Sequence, residues 1–277
     1  MKKKKVWFIT GASSGLGLAI TREVLDSGHF VVATARKPEK FAPLEKKYKG
    51  SILSLPLDVT NLYEIKSAVG KAINEFGRID VLVNNAGYGL IGAIEEPSDF
   101  QIRKIFETNV FGVISMVREI LPVLRTQKNG HIFNISSRLG FSAFPSYGYY
   151  SATKFAVHGF SEALVQEVSQ TGIRVTIVEP GGIRTDFNNK AIEQPENPME
   201  KVYPSTKKIN EYLALGDGKQ ISNPQKIARI LIDISNQENP PLHLPIGEDA
   251  YSKIEEQLQK ISMEISEWKE IGVSARF

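Results

Sequence analysis

The fold is decided near the start of the chain by the stretch Val6-Trp7-Phe8-Ile9-Thr10-Gly11-Ala12-Ser13-Ser14-Gly15-Leu16-Gly17. Residues 6–10 form the apolar run of a buried strand, and residues 16–25 have the apolar spacing of a helix. The glycines between them permit a tight turn and a close approach of the backbone to a ligand. The amides and dipole of a helix N-terminus favour a pyrophosphate. In this strand–turn–helix context the glycines predict dinucleotide binding, and a plain tight turn is the alternative.

Strand-like and helix-like segments alternate along the whole chain, and the strands are apolar almost throughout. Continuous apolar strands are typical of a sheet that helices cover on both faces. We therefore expect an α/β fold: a single Rossmann-like domain over residues 1–277 with a doubly wound parallel β-sheet flanked by helices. The predicted strands are Val6–Thr10, Phe30–Ala35, Ile52–Leu57, Val81–Val83, His131–Ile135, Arg174–Val178 and His243–Pro245.

Two segments stand apart from this alternation. Residues 185–222 are rich in Asn, Lys, Glu and Pro with weak periodicity, and we expect them to form a substrate lid. Residues 248–270 are predicted to form a C-terminal helix with apolar residues spaced 3, 4, 3, 4 and 3 apart. That seam either docks onto the chain's own body or contacts a partner subunit. Its members are Tyr251, Ile254, Leu258, Ile261, Ile265 and Trp268.

Composition excludes several classes of protein. A hydrophobic content of 42% with 23% charged residues fits a soluble globular protein, and a net charge of +3 is too small to indicate nucleic-acid binding. Cysteine is absent, which excludes disulfides and thiol catalysis, and the 4 histidines show no ligand spacing, so we expect no metal. The basic run Lys2–Lys5 is followed by no apolar signal region. We expect a cytoplasmic protein with no membrane partner.

The end of the second predicted strand indicates which dinucleotide binds. An acidic residue there would bind a ribose hydroxyl, whereas an arginine would accommodate a 2′-phosphate. The sequence has Arg36 followed by Lys37, with no carboxylate before Glu39. NADP(H) is therefore predicted over NAD(H), with Ser13 as an additional donor. The alternative is that Arg36 and Lys37 are solvated loop charges.

Tyr150 and Lys154 are four residues apart, which places a phenol and an ammonium on the same helical face. A neighbouring cation lowers a phenol's pKa, and a tyrosine tuned in this way exchanges a proton with an alcohol or carbonyl oxygen. Ser137, thirteen residues before Tyr150, could hold the same oxygen. The Tyr-x-x-x-Lys pattern alone is weak, because a solvated helix face produces it equally well.

Taken together, residues 5–244 resemble the classical short-chain dehydrogenase/reductase family. The resemblance rests on several motifs, and within the family the chain is similar to bacterial members related to hydroxysteroid and retinol dehydrogenases. The motifs are Thr10–Gly17, Asp58, Asn84-Asn85-Ala86-Gly87, Asn109, Ser137, Tyr150, Lys154, and Pro180-Gly181 leading to Thr185.

The resemblance implies a role for each matching residue. It implies the catalytic residues Asn109, Ser137, Tyr150 and Lys154. It implies cofactor binding by Gly11, Ser13, Ser14, Gly15, Leu16, Gly17, Arg36, Asp58, Val59, Asn85, Ala86, Gly87, Tyr150, Lys154, Pro180, Gly181, Ile183 and Thr185. Asp58 would contact adenine, although an aspartate before Val59 and Thr60 is equally suited to cap a helix.

Several neighbouring residues have alternative roles. Strand side chains alternate, so only one of Ser136 and Ser137 faces the site, and Ser137 has the family's spacing. Tyr147 and Tyr149, with Phe141, Phe144 and Phe187, are either pocket wall or packing aromatics. Asn109 would place a water that links Lys154 to solvent. His158 is interpreted as a packing residue.

The expected function is NADP(H)-dependent interconversion of a carbonyl and an alcohol on a hydrophobic small molecule, by hydride transfer with a tyrosine as general acid/base. One alternative is an NADP(H)-binding sensor or scaffold without turnover, which typically lacks the tyrosine or lysine. Another is an epimerase or dehydratase, which tends to carry a larger C-terminal domain. The resemblance also implies a homodimer or homotetramer.

Overall fold

The computed structural model describes residues 4–216 and 218–277, so the predicted basic run at Lys2–Lys5 begins outside the described residues. The described strands are β1 Val6–Ile9, β2 Phe30–Ala35, β3 Ile52–Pro56, β4 Val81–Asn84, β5 Gly89–Leu90, β6 Gly130–Ile135, β7 Ile173–Pro180, β8 Ile192–Glu193 and β9 His243–Ile246. The described helices are α1 Gly15–Asp26, α2 Ala42–Lys47, α3 Leu62–Phe76, α4 Asp99–Phe106, α5 Gly112–Gln127, α6 Gly148–Glu167, α7 Phe187–Lys190, α8 Pro204–Gly216, α9 Pro224–Ser235, α10 Glu248–Glu267 and α11 Lys269–Val273.

Within the described residues, seven strands form one sheet in the order β3-β2-β1-β4-β6-β7-β9, and every neighbouring pair is parallel. The order reverses between β1 and β4, and the carboxyl ends of both strands meet at one edge. In open α/β sheets this switch point is where ligands bind. The predicted Rossmann-like fold is confirmed, including all seven predicted strands.

The hydrophobic core consists of two layers, one on each face of the sheet. Alternation along β1 sends Val6 and Phe8 into one layer, and Trp7 and Ile9 into the other. The first layer lies under α3, α5 and α6. The second lies under α1 and α9, and includes the stacked rings of Trp7 and Phe133. The rigid sheet positions the loops at its carboxyl edge.

Residues 100–124 are helical almost throughout, but they do not form one continuous α-helix. Helix α4 ends at Phe106, a π-helical turn covers Glu107–Phe111, and α5 begins at Gly112. A π turn adds one residue to the helical repeat and is frequent at functional sites. Asn109 lies in the middle of this turn.

The segment 185–222 contains α7, β8 and α8, and it packs along the carboxyl edge of the main sheet. Strand β8 pairs with β5, and an isolated bridge joins Ile183 to Ser222. Glu96 fixes α8 to the loop before α4, since its buried carboxylate accepts hydrogen bonds from Ala93 N at 2.6 Å, Met199 N at 2.7 Å and Thr206 Oγ1 at 2.5 Å.

The C-terminal helix contacts the body through its first two turns only. Ala250 and Ile254 are buried, whereas Leu258 is 49% exposed, Ile265 66% and Trp268 59%. The expectation that the seam docks onto the chain's own body therefore holds for Ile254 and is wrong for the later members. Among the described residues, no helix has the length and apolar character needed to cross a bilayer.

Candidate active site

The ends of β1 and β4 are joined by the side chains of Thr10 and Asn85. The Thr10 hydroxyl accepts hydrogen bonds from the amides of Asn85 and Ala86, both at 3.0 Å, and donates to Val83 O at 3.3 Å. The side-chain Nδ2 of Asn85 donates hydrogen bonds to the backbone carbonyls of Thr10 at 2.9 Å and Gly11 at 3.1 Å. The predicted cofactor residue Asn85 thus acts on the backbone of the glycine-rich turn and holds the switch-point crevice in shape.

The glycines of this turn are required by its geometry. A Cβ on Gly17 would lie 2.3 Å from Gly11 O, and one on Gly11 would lie 2.9 Å from the Ala86 Cα. Gly11 and Gly15 also have left-handed φ angles of 63° and 52°. Residues with a Cβ rarely adopt these angles, so the chain can make this turn only with glycine.

Helix α1 begins where this turn ends. Its N-cap residue Ser14 is exposed and accepts no capping hydrogen bond, so its hydroxyl is available beside the first-turn amides, with Ser13 and Leu16 adjacent. Thr185 Cβ lies 3.7 Å from the Cβ position of Gly15, which brings the loop after β7 to the same place. Unpaired first-turn amides and hydroxyls around a glycine cradle fit a pyrophosphate. These residues fit a nicotinamide dinucleotide.

Arg36 is exposed directly after β2, next to the glycine-rich turn. Nothing on the described surface ties its guanidinium into the fold, in contrast to the paired Arg78, whose guanidinium binds Asp80. This position is consistent with the predicted contact to a 2′-phosphate and with the solvated-charge alternative.

The two interpretations of Asp58 are separated in part by the structure. Helix α3 is capped by Asn61, whose side chain accepts from Tyr63 N at 3.0 Å and Glu64 N at 3.3 Å. Asp58 instead accepts from the amide and hydroxyl of Thr60. The helix-cap interpretation of Asp58 is therefore wrong, and adenine contact remains a prediction.

Val59, the next predicted cofactor residue, is buried against the start of α5. A Cβ on Gly112 would lie 2.7 Å from the Val59 Cγ2.

The loop after β7 is fixed by Asp249 at the start of α10. The Asp249 carboxylate accepts from Gly182 N at 2.9 Å, and a Cβ on Gly181 would lie 2.1 Å from Asp249 Oδ1. Sequence reasoning missed Asp249, because nothing in the C-terminal helix pattern points 67 residues back along the chain. The Asp249 carboxylate holds the loop that carries Pro180, Gly181 and Ile183 beside the switch-point crevice.

Tyr150, Lys154 and Ser137 converge at the carboxyl end of β6. Tyr150 and Lys154 lie one turn apart on α6, with Lys154 Nζ 5.5 Å from the centroid of the Tyr150 ring. Ser137 follows β6, and its side chain lies close enough to the Tyr150 phenol to act on its pKa. Ser136 faces away, and its hydroxyl donates to Lys154 O at 3.4 Å. The choice of Ser137 over Ser136 agrees with this geometry.

Burial shifts the acid–base properties of this pair. Burial raises the pKa of the Tyr150 phenol, and the neighbouring Ser137 hydroxyl acts in the opposite direction without reversing the shift. Burial also lowers the pKa of Lys154 to about 8, and its Nζ donates to Ile135 O at 2.9 Å. The sequence-based expectation was that Lys154 lowers the phenol's pKa. The structure gives the opposite direction, because burial is the largest influence on this phenol.

Asn109 is buried in the π turn, and its side chain is fully engaged. Its Nδ2 donates to Tyr88 O at 2.8 Å and Thr153 Oγ1 at 3.2 Å, while its Oδ1 accepts from Tyr88 N at 3.1 Å. A Cβ on Gly87 would lie 3.0 Å from Asn109 Oδ1 and 4.0 Å from Lys154 Nζ. Asn109 therefore ties α6 to the loop after β4, and the predicted water relay stays a prediction.

The predicted pocket aromatics divide into two groups. Phe141 packs against His158 and His243, with ring centroids 4.9 Å and 5.4 Å apart, so it is a packing residue. Tyr147 lies edge-on to Tyr150 at 6.0 Å, and burial raises its pKa to about 12. The other three aromatics each have a different environment. The Tyr149 hydroxyl donates a hydrogen bond to Ile94 O, and the Phe144 ring lies under the Arg138 guanidinium. The Phe187 side chain is partly exposed.

Sequence reasoning missed Tyr88. Its hydroxyl is buried without a hydrogen-bond partner, although Asn109 holds its backbone. Its ring lies next to Lys104 Nζ at 5.6 Å, and an unpaired buried hydroxyl is available to a polar group of a ligand. The signal was its position directly after the Asn84–Gly87 motif.

Comparison with known proteins agrees with this geometry. The family model for the short chain dehydrogenase matches residues 5–196. Oxidoreductase BOA17 of Botryotinia fuckeliana is 39% identical over 272 residues, covering 98% of this chain and 99% of that protein. The 3-ketodihydrosphingosine reductase of Bacteroides thetaiotaomicron is 37% identical over 248 residues, covering 88% of each chain.

Solved structures give the same result. A short-chain dehydrogenase from Streptomyces avermitilis superposes with a TM-score of 0.93 at 36% identity, covering 99% of this chain and 100% of that one. The closed form of a serine dehydrogenase complexed with NADP⁺ has a TM-score of 0.76 at 28% identity, covering 87% of this chain and 94% of that one. The chain belongs to the short-chain dehydrogenase/reductase family and is an NAD(P)-dependent oxidoreductase acting on CH–OH or carbonyl groups.

Proposed function

We propose that the protein is an NADP(H)-dependent carbonyl reductase for a hydrophobic ketone or aldehyde, with Tyr150 as its proton donor. The observation that carries this proposal is the convergence of Ser137, Tyr150 and Lys154 at the sheet edge where the glycine-rich turn forms its cradle. We favour this function over the alternative, a sensor without turnover, because such proteins typically lack the tyrosine or the lysine and this chain retains Asn109, Ser137, Tyr150 and Lys154.

The protein's residues manage the proton and the position of the substrate oxygen. A bound nicotinamide supplies the hydride for reduction. Ser137 holds the substrate carbonyl oxygen, and Tyr150 donates its proton to that oxygen. A phenol whose pKa is raised by burial stays protonated at neutral pH, which suits a general acid in the reducing direction. Lys154 is protonated at neutral pH and stabilises the phenolate left by this donation.

A hydrophobic substrate is supported by the surroundings of Tyr150. Tyr147 is beside the catalytic ring, and the partly exposed Phe187 lies 3.7 Å from the Cβ position of Gly89. The Bacteroides relative is a reductase of a sphingoid ketone by its name. A bulky apolar ketone is therefore the substrate class we favour.

NADP(H) preference is supported by Arg36 at the end of β2 and by the absence of a carboxylate before Glu39. The serine dehydrogenase neighbour was solved with NADP⁺. Ser13 lies in the glycine-rich turn and supplies a second donor toward a 2′-phosphate.

We propose that a second copy of the chain covers the exposed seam of α10, and that the protein is a homodimer or homotetramer. Spacing of 3 and 4 residues is the repeat with which α-helices pack against a partner. The seam begins on the body at Ile254 and continues exposed through Leu258, Ile261 and Ile265. An apolar stripe of this length left in water would promote association.

Replacing Tyr150 with Phe tests the proton donor. Tyr150→Phe keeps the ring and loses the proton, so we expect kcat for ketone reduction to fall by about 1,000-fold or more. NADPH affinity, measured by fluorescence titration, is expected to stay within about threefold. A variant that kept most of its rate would contradict the assignment.

The pH dependence of stability tests the burial of Lys154. Its folded pKa of about 8 lies below the ordinary 10.5, so between these values the unfolded chain holds a proton that the folded chain has lost. The free energy of unfolding therefore gains a positive contribution from Lys154 as pH rises through this window. We expect urea denaturation of Lys154→Met to show a smaller rise between pH 8 and 10 than the parent protein. Equal slopes would mean that Lys154 is solvated.

Arg36→Glu tests cofactor choice. Charge-assisted hydrogen bonds to phosphate contribute roughly 1.5–3 kcal/mol, so the ratio of kcat/KM for NADPH over NADH should fall by about 10- to 100-fold or more. The control Lys46→Glu makes the same charge change at an exposed position on α2 and should leave the ratio unchanged. An equal effect of both variants would assign the preference to net charge rather than to Arg36.

Light scattering during size exclusion tests self-association. We expect Ile265→Glu to reduce the assembly to a smaller species, because it places a charge in the seam. Met263→Glu is the control, since Met263 is 72% exposed on the same helix and outside the seam. A monomeric parent protein, or equal behaviour of the two variants, would overturn the proposal.

A further inference from the structure

A buried cluster of two histidines and a glutamate lies on the far side of the catalytic helix. His158 is on α6, Glu179 on β7 and His243 on β9. In the β7–β9 register His243 is opposite Ile177, two residues from Glu179, so both side chains emerge on the same face of the sheet. His158 reaches that face from α6, one turn after Lys154. None of the three has a role in the proposed reaction.

The three side chains point their ligand atoms at one another. His243 Nδ1 lies 2.7 Å from Glu179 Oε1, and His158 Nε2 lies 3.7 Å from the same oxygen. Each residue offers one ligand atom, and these three atoms all lie within 4.8 Å of one another. All three residues are held by regular elements of the core, which fixes these distances.

Two polar atoms of this cluster are buried without a hydrogen-bond partner. Glu179 is fully buried and His158 is 5% exposed, yet Glu179 Oε2 and His158 Nε2 are both unsatisfied. Buried polar atoms are almost always paired, and an exception calls for a specific explanation such as an ion. The packing also raises the pKa of Glu179 to about 6 and lowers that of His158 to about 4, mainly through burial.

We propose that His158, Glu179 and His243 form a binding site for a divalent transition-metal ion, with Zn²⁺ as the best match. Two imidazoles and one carboxylate are a common donor set for Zn²⁺, with bonds of about 2.0–2.2 Å. Ligands at that distance around a tetrahedral ion are roughly 3.3 Å apart, which is close to the separations in the cluster. Binding replaces the proton held between His243 Nδ1 and Glu179, and that proton leaves to solvent.

The surroundings match those of a metal site. His243 turns its other nitrogen, Nε2, toward Glu162 Oε1 at 3.7 Å, and a carboxylate behind a metal-bound histidine orients the ring and raises its basicity. The Phe141 ring packs against both imidazoles and shields them. Access from solvent runs past His243 and Glu162, whose side chains are 36% and 52% exposed. The Lys154 ammonium acts on His158 but is itself directed to Ile135 O.

Metal binding by the full-length protein tests the proposal. Protein dialysed against EDTA and then against metal-free buffer is titrated with Zn²⁺ by calorimetry, and with Co²⁺ by visible absorption, which reports the coordination geometry. We expect one ion per chain, a tetrahedral or five-coordinate Co²⁺ spectrum, and a higher melting temperature with Zn²⁺.

The variant His158→Gln/His243→Gln should weaken Zn²⁺ binding by at least about 100-fold, because it leaves one ligand. Glu179→Gln keeps the side-chain shape and should also weaken binding, which covers the case in which the double variant does not fold. His29→Gln, outside the cluster, is the control and should bind as the parent does. Absence of saturable one-to-one binding, or binding that the cluster variants do not change, would overturn the proposal.

Discussion

The site depends on the near-complete removal of Lys154 from water and the partial removal of Tyr150. Helix α6 packs against the carboxyl ends of β6 and β7, which leaves Lys154 7% exposed and directs its ammonium to Ile135 O. Burial then pushes both groups toward their neutral forms, the phenol by a raised pKa and the amine by a lowered one. A pair held in this way responds strongly to any charge that enters the crevice, because the local dielectric is low.

The parallel sheet supplies the rigid edge on which this pair acts. Thr10 and Asn85 join the ends of β1 and β4, and the glycines leave room for a dinucleotide at the helix N-terminus. Asn109 then ties the π turn to Tyr88 and Thr153, so the catalytic helix is fixed to the same edge. Binding site and proton donor are thus parts of one hydrogen-bonded unit.

The periodicity of the sequence was sufficient to predict the seven strands of the sheet, because the central strands β1, β2 and β4 are apolar almost throughout. The shared face of Tyr150 and Lys154 followed from helical spacing, whereas Ser137 was chosen over Ser136 from the resemblance to the family's spacing. Features that depend on distant segments could not be predicted. Asp249, for example, reaches back 67 residues to Gly182. The capping of α3 by Asn61 rather than Asp58 is a local feature, and it was missed because both residue types are suited to a helix cap. The expected direction of the phenol's shift was wrong because the extent of desolvation is a tertiary property.

The ionisation of Tyr150 is the most direct test of this account. Ultraviolet titration of tyrosine ionisation, taken as the difference between the parent protein and Tyr150→Phe, isolates this phenol. Without cofactor we expect it to stay protonated beyond the ordinary tyrosine pKa of about 10. With saturating oxidised cofactor, whose nicotinamide is cationic, we expect its pKa to fall by about one unit or more. A phenol that titrates near its ordinary value in both states would contradict the account.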